Sequence, residues 1–284
     1  MRISEAIRFA TELLASSGVE NPRREASLLL STSINRDMAF LIAHPDHELS
    51  EQEIESFKEY SLRRAKREPF QYICGYQEFY GLRFSVSRDV LIPRPETELI
   101  VEQAIRFLQI RETRRFCDVG IGSGCISIAI LKHVSNSFGI GCDVSERALE
   151  LARKNAQMHG VVDRIRLIVS DILSNVDVSD GFDLIVSNPP YISKSEFPNL
   201  QPEVRDYEPR LALLGGEDGL EIIRKLILQA KGALKRGGKL IMEIGHDQAN
   251  TVSKILRENG WNDVDFIPDL RGFLRIVMAT KQVS

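Results

Sequence analysis

From residue 114 onward the chain carries six short apolar runs of strand length, most of them separated by helical patterns. The runs are "RRFCDVG", "FGIGCDV", "IRLIVSD", "FDLIVSN", "KLIMEIG" and "FLRIVMAT". Between them lie "SGCISIAILKHV", "ERALELARKNAQMHG", with Ser145 as its cap, and "LEIIRKLILQAKGAL", expected to end at Gly237 and Gly238. A last helix is expected to run to about Asn259. Strands that are apolar on both faces and alternate with helices predict an α/β fold with a mostly parallel sheet covered on each side.

The preceding chain reads differently. Residues 1–70 show apolar residues at helical spacing (Ile3, Ile7, Ala10, Leu14) and no strand signal. Gly18 stops the first pattern, Asn21-Pro22 is expected to cap and open a second helix, and Ser50 with Glu53 forms a capping box for a third. A small helical domain is expected over 1–70, a strand-rich connector or hairpin over 71–92, and the α/β domain over 93–284. The segment "IPRPETELIVEQAIRFL" brings two prolines and then a helix into that domain.

Composition narrows the classes. Apolar residues make up 43% and charged residues 27%, enough for a full core. A net charge of −3 gives no general attraction to nucleic acid, and residues 1–86 hold 11 Lys and Arg against 13 Asp and Glu. The densest basic run, "RRAKR" (Arg63 to Arg67), is expected to be a solvated helix face. Cys74, Cys117, Cys125 and Cys142 lack CxxC spacing, so reduced thiols are expected rather than zinc. The N-terminus lacks a signal peptide's long apolar core, and no apolar run reaches the ~18 residues of a membrane span. The expected setting is a reducing cytoplasm.

"CDVGIGSGCISIAI" puts Asp118, Gly120, Ile121, Gly122, Ser123 and Gly124 between a strand and a helix. Glycines let a ligand lie close to the main chain, where it meets the helix N-terminus. Asp143 ends the next strand, 23 residues after Gly120, where a carboxylate accepts from ribose hydroxyls. The third strand ends at Ser170-Asp171, within reach of an adenine amino group. These features suit any adenosine-containing cofactor and do not separate NAD from S-adenosylmethionine.

The fourth strand separates them. It ends in "SNPPYI", residues 187–192. Pro189 and Pro190 remove two N–H donors and fix φ. What remains is a set of acceptors, the Asn188 side-chain oxygen and the proline carbonyls, with the flat ring of Tyr191 beside them. That combination suits a planar N–H₂ group. An amide or aromatic amine nitrogen is a poor nucleophile because its lone pair is conjugated. Two acceptors on its N–H bonds position it and favour charge on nitrogen as a methyl group arrives.

Together, "DVGIGSG", "CDVS" and "SNPPYI" resemble class I S-adenosylmethionine-dependent methyltransferases acting on amide or exocyclic nitrogen. "REPFQYICGYQEFYGLRF", "VLIPRPETE" and "YEPRLALLGGEDGL" narrow the resemblance to the bacterial PrmC/HemK family of peptide chain release factor N5-glutamine methyltransferases, over roughly residues 65 to 280. The resemblance implies a Rossmann-like, mostly parallel seven-stranded sheet with a small N-terminal helical bundle. It implies methylation of the glutamine in the GGQ motif of class 1 release factors, with S-adenosylmethionine held by Asp118, Gly120 to Gly124, Asp143, Asp171, Ile172 and Asn188. The glutamine amide is expected against Asn188, Pro189, Pro190 and Tyr191. The PRPETE segment, with Glu96 and Glu98, is expected near the site, to meet the cofactor's amino group or brace the NPPY turn. Glu208 is placed there by family pattern alone. Some relatives carry an aromatic residue where this chain has Ile172. A monomer without membrane or direct nucleic-acid contacts is expected. The competing readings are a nucleic-acid exocyclic-amine methyltransferase, a non-catalytic scaffold and a dehydrogenase. The first lacks a basic stripe. Intact cofactor and NPPY residues argue against the second, and nothing in NPPY serves hydride transfer.

Overall fold

A computed structural model describes residues 1–282. The chain falls into two compact units: Met1–Tyr76 with Gln201–Tyr207, and Gln77–Leu200 with the chain from Glu208 onward.

The first unit opens with α1 (Ile3–Ser16), α2 (Pro22–Ser33), α3 (Met38–Ala43), α4 (Glu51–Ala65) and α5 (Phe70–Cys74). Ile3, Ala6, Ala10 and Leu14 face its core, with Leu29, Leu30 and Phe57. The capping box at α4 is present: Ser50 N donates to Glu53 Oε2 at 2.8 Å and Ser50 Oγ accepts from Glu53 N. Asn21 departs from expectation. Pro22 opens α2, but Asn21 sits at φ 50° and its side chain makes no cap bond. α5 occupies the start of the segment read as strand-rich; its first residues are too few for a periodic signal.

The RRAKR run is not a solvated face. Arg64 is buried and donates to Glu25 at 2.8 Å and to Glu203 at 3.0 Å. Arg67 grips Glu203 with two bonds of 2.7 Å, and Arg63 donates to Glu68. The partner Glu203 lies 136 residues from Arg67, beyond any local charge pattern. Bidentate arginine–carboxylate pairing fixes geometry as well as charge.

The second unit begins with a hairpin, β1 (Tyr76–Phe79) and β2 (Leu82–Ser85). The α/β part then runs α6 (Glu98–Gln109), β3 (Arg115–Val119), α7 (Cys125–His133), β4 (Phe138–Asp143), α8 (Glu146–Met158), β5 (Ile165–Val169) and β6 (Phe182–Ser187). After β6 come α9 (Pro202–Tyr207), which belongs to the first unit, and α10 (Arg210–Leu213). α11 (Glu221–Ala233), β7 (Leu234–Glu243), α12 (Ala249–Glu258), β8 (Asp263–Pro268) and β9 (Leu274–Thr280) complete it.

The seven strands are ordered β5-β4-β3-β6-β7-β9-β8. The first five in that order run parallel, and β9 is antiparallel to both β7 and β8. One apolar layer holds Ile223, Ile227, Leu256 and Trp261; the other holds Ile100, Ala104, Ile128 and Leu149. The architecture is therefore the expected class I methyltransferase α/β fold.

Two details differ from the sequence reading. β8 was not among the apolar runs, because this edge strand is half-exposed along its length. Gly237 and Gly238 do not end α11. That helix stops at Ala233, and β7 runs through both glycines with a register shift against β6, from Phe182↔Leu234 to Leu184↔Lys239. Both glycines fall in the bulge between the two registers, past a helix that has already ended. None of the helices among the described residues is long and apolar enough to cross a membrane.

Candidate active site

In an open parallel sheet, the cleft lies beyond the strand carboxyl ends where the order reverses. Here that point falls between β3 and β6, whose last residues pair as Val119↔Ser187. The glycine loop leaves β3 and the NPPY turn leaves β6, so the two motifs are neighbours although 68 residues separate their strand ends. Ser187 Oγ ties them by donating to Val119 O at 2.7 Å.

The loop sits on the end of β4. Gly120 N and Ile121 N both donate to Cys142 O, at 2.8 and 3.0 Å. Asp143 Oδ2 accepts from Gly122 N at 3.0 Å, and Asp143 Oδ1 accepts from Ser145 N at 2.9 Å. Burial raises the Asp143 pKa, and its main-chain donors oppose that rise. Asp118, Ile121, Ser123 and Gly124 are buried. Asp118 accepts from Ser127 in α7, Ser123 O accepts from Asn155 at 2.8 Å, and Ile121 packs into the space left by Gly141. Gly120 and Gly122 instead open outward.

The loop leaves room for a ligand close to its main chain. Gly120 and Gly122 lie at φ 72° and 54°, and a Cβ on Gly120 would meet no atom within 4 Å. Open space on a left-handed backbone is what a ligand close to the main chain requires. The Asp143 oxygens keep lone pairs free beyond their two main-chain bonds. At the third strand, Asp171 is exposed, whereas Ile172 is buried at φ 53° with its carbonyl accepting from Cys142 Sγ. Left-handed φ is strained for a β-branched residue.

The NPPY turn is held from behind by Thr97, of the PRPETE segment expected near the site, and by Glu243, which the sequence did not single out. Asn188 Nδ2 donates to Thr97 Oγ1 at 3.0 Å, and Thr97 Oγ1 donates to Glu243 Oε2 at 2.6 Å. Tyr191 OH donates to the other carboxylate oxygen, Glu243 Oε1, at 3.1 Å. Glu243 is buried at the end of β7, and burial raises its pKa against the hydrogen bonds from Thr97 and Tyr191. Burial, with the Glu243 charge, likewise raises the Tyr191 phenol. Arg275 lies over the Tyr191 ring, 6.0 Å from its centroid.

The main chain of the turn is clamped too. Gln248 Nε2 donates to Tyr191 O, and Ile192 exchanges backbone bonds with Leu213 and Gly215. A Cβ on Gly215 would stand 2.6 Å from Pro190 O. The "LLGGEDGL" stretch is thus the floor of the NPPY turn.

The acidic residues of PRPETE do not brace that turn by hydrogen bonds. Glu98 accepts from Tyr80 N at 2.7 Å, in the hairpin, and it is Thr97 between them that reaches Asn188. Glu208 is buried and accepts from Arg94 at 2.6 Å, while its Oε2 has no hydrogen-bond partner among the described residues. One sequence signal for Glu243 existed: an acidic residue closing the apolar run "KLIME" must find partners when buried.

Comparison with known proteins gives a consistent result. Residues 5–75 match the family described as PrmC N-terminal domain, and residues 97–201 match the Methyltransferase small domain. A release factor glutamine methyltransferase of Koribacter versatilis is 41% identical over 100% of both chains. One from Geobacter sulfurreducens is 41% identical over 97% of this chain and 95% of its own. A methyltransferase from Pyrococcus furiosus shares the fold at 21% identity and a TM-score of 0.56, covering 78% of this chain and 100% of that one.

Proposed function

The chain belongs to the release factor glutamine methyltransferase family, and from that premise we propose that it transfers a methyl group from S-adenosylmethionine to N5 of the glutamine in the GGQ motif of class 1 peptide chain release factors. One observation carries the reading. The Asn188 amide, held by Thr97, stands one residue beyond the β6 end that pairs with the strand feeding the glycine loop.

The cofactor's sulfonium supplies an electrophilic methyl group. Gly120 and Gly122 offer the main chain for close approach, and the free lone pairs of Asp143 accept from ribose hydroxyls. Asp118, Ile121, Ser123 and Gly124 hold that loop from inside, while Asp171 and the backbone at Ile172 border the adenine side. Asn188 Oδ1 and the Pro189 carbonyl accept the two N–H bonds of the glutamine amide. Pro190 keeps the turn rigid, and the Tyr191 ring lies against the planar amide. Acceptors aimed at both N–H bonds stabilise positive charge developing on nitrogen. No strong base is needed, because the acidified N–H passes its proton to water once the nitrogen is alkylated. The first unit and the hairpin serve recognition of the protein substrate.

The test is methyl transfer from labelled S-adenosylmethionine to a purified release factor, beside a GGQ-to-GGA variant and a mixture of tRNA, rRNA and DNA. Label on the factor that disappears in the variant is the expected result. Label on nucleic acid alone overturns the substrate assignment in favour of exocyclic-amine methylation. The engagement of Arg63, Arg64 and Arg67 by carboxylates weighs against that outcome.

A further inference from the structure

Resting on the proposed reaction, we infer that Thr97 and Glu243 are positioning residues that decide which end of the Asn188 amide faces the substrate. An asparagine side chain has an acceptor and a donor end of nearly the same shape. Only the acceptor end can take an N–H of the glutamine amide. A flipped Asn188 would set donor against donor at the reacting nitrogen. The turn itself does not choose between the two.

The choice is made by a chain of hydrogen bonds with one polarity. An ionised carboxylate only accepts. The Thr97 hydroxyl has a single proton, and at 2.6 Å that proton is committed to Glu243 Oε2. Thr97 Oγ1 then has only lone pairs for Asn188, so it selects Nδ2, at 3.0 Å. Oδ1 is thereby turned away from Thr97. Glu243 Oε1 meanwhile takes the Tyr191 hydroxyl, so one buried carboxylate orients both polar members of the turn. Burial and, less, Glu96 oppose the ionised form of Glu243; the hydrogen bonds from Thr97 and Tyr191, and then Arg275, support it.

A purely structural staple is the competing account. Thr97 and Glu243 are 146 residues apart and both nearly fully buried, and an apolar contact would join α6 to β7 without the cost of desolvating a carboxylate. The two accounts differ in what Thr97→Val does. The valine keeps the shape and removes the acceptor.

The experiment compares wild type, Thr97→Val and Thr97→Ser on three readouts: kcat and KM for the release factor, S-adenosylmethionine affinity by calorimetry, and the Asn188 side-chain amide signal by NMR, assigned through its loss in Asn188→Asp. The expected result for Thr97→Val is a 10- to 100-fold fall in kcat with KM and cofactor affinity within threefold of wild type. Its Asn188 amide protons also shift and lose protection from exchange. Thr97→Ser restores kcat to within threefold and returns the amide signal. A valine variant with wild-type kcat, an unchanged Asn188 signal, or a loss that serine does not rescue overturns the inference. If the valine variant does not fold, the wild-type spectrum decides: a protected Asn188 amide proton supports the assignment and one exchanging at the free rate overturns it. Failure of the wild type to methylate any release factor would remove the proposed function, while the NMR readout would still judge the orientation of Asn188.

Discussion

Asp118 accepts a hydrogen bond from Ser127 at 2.7 Å through Oδ2, while its Oδ1, fully buried, has no hydrogen-bond partner among the described residues. Burial raises the Asp118 pKa from 3.8 to about 7, against the opposing bonds from Ser127. The folded protein therefore holds this proton more tightly than the unfolded chain. That contribution to stability is complete below about pH 4 and is lost as pH rises to about 7. Asp118→Asn removes the titration, so its stability advantage over wild type should grow across that range, by up to about 4 kcal/mol, and then level off. Chemical denaturation at several pH values measures it; a difference independent of pH would sink the idea.

Asn188→Ala should lower turnover by about 100-fold or more, the scale seen when a single transition-state hydrogen-bond partner is removed. Cofactor affinity should change little. Single-turnover rates and calorimetry separate the two quantities. Unchanged turnover would mean that the acceptors of the NPPY turn do not act on the reacting nitrogen.

Asp143→Ala should behave in the opposite way. It removes the carboxylate that accepts from Gly122 N and, in the proposed complex, from ribose hydroxyls. S-adenosylmethionine binding should weaken by roughly 10- to 100-fold, the scale of one or two charged hydrogen bonds. An unchanged dissociation constant contradicts the ribose assignment.

Gly215→Ala tests the floor of the turn. The new methyl would stand 2.6 Å from both Pro190 O and Gly219 O, with no flexible side chain to give way. A cost of about 1–3 kcal/mol is expected, together with lost turnover and retained cofactor binding. Thermal unfolding and activity at a permissive temperature check it; a variant with wild-type stability and rate would show that the turn is not held from this side.

The sequence made the α/β layer and its two motifs legible because each rests on contiguous residues. Apolar runs define β3, β4, β5 and β6, and their turns carry Gly120 to Gly124 and Asn188 to Tyr191 in order. Other features were hidden for physical reasons. β8 lies at a half-exposed edge, so it never forms an apolar run. Gly237 and Gly238 lie in the bulge between the two registers of β7 against β6, and their main chain bonds Lys281, just past β9. Thr97 and Glu243 are single polar residues whose relation exists only once α6 and β7 are packed. The same holds for Arg67 and Glu203, whose pairing turned a seemingly solvated basic run into an internal network.

The placement of α9 has a practical consequence for dissecting this enzyme. Because Gln201–Tyr207 is counted with Met1–Tyr76, the backbone passes between the units at three points rather than one. No single cut releases either unit whole. A fragment starting at Gln77 would carry Glu203 stripped of Arg64 and Arg67, and Tyr207 without the Lys66 carbonyl it donates to. Expression of the second unit alone would therefore report on a disturbed segment that begins eleven residues downstream of Pro190 as much as on the loss of the first unit.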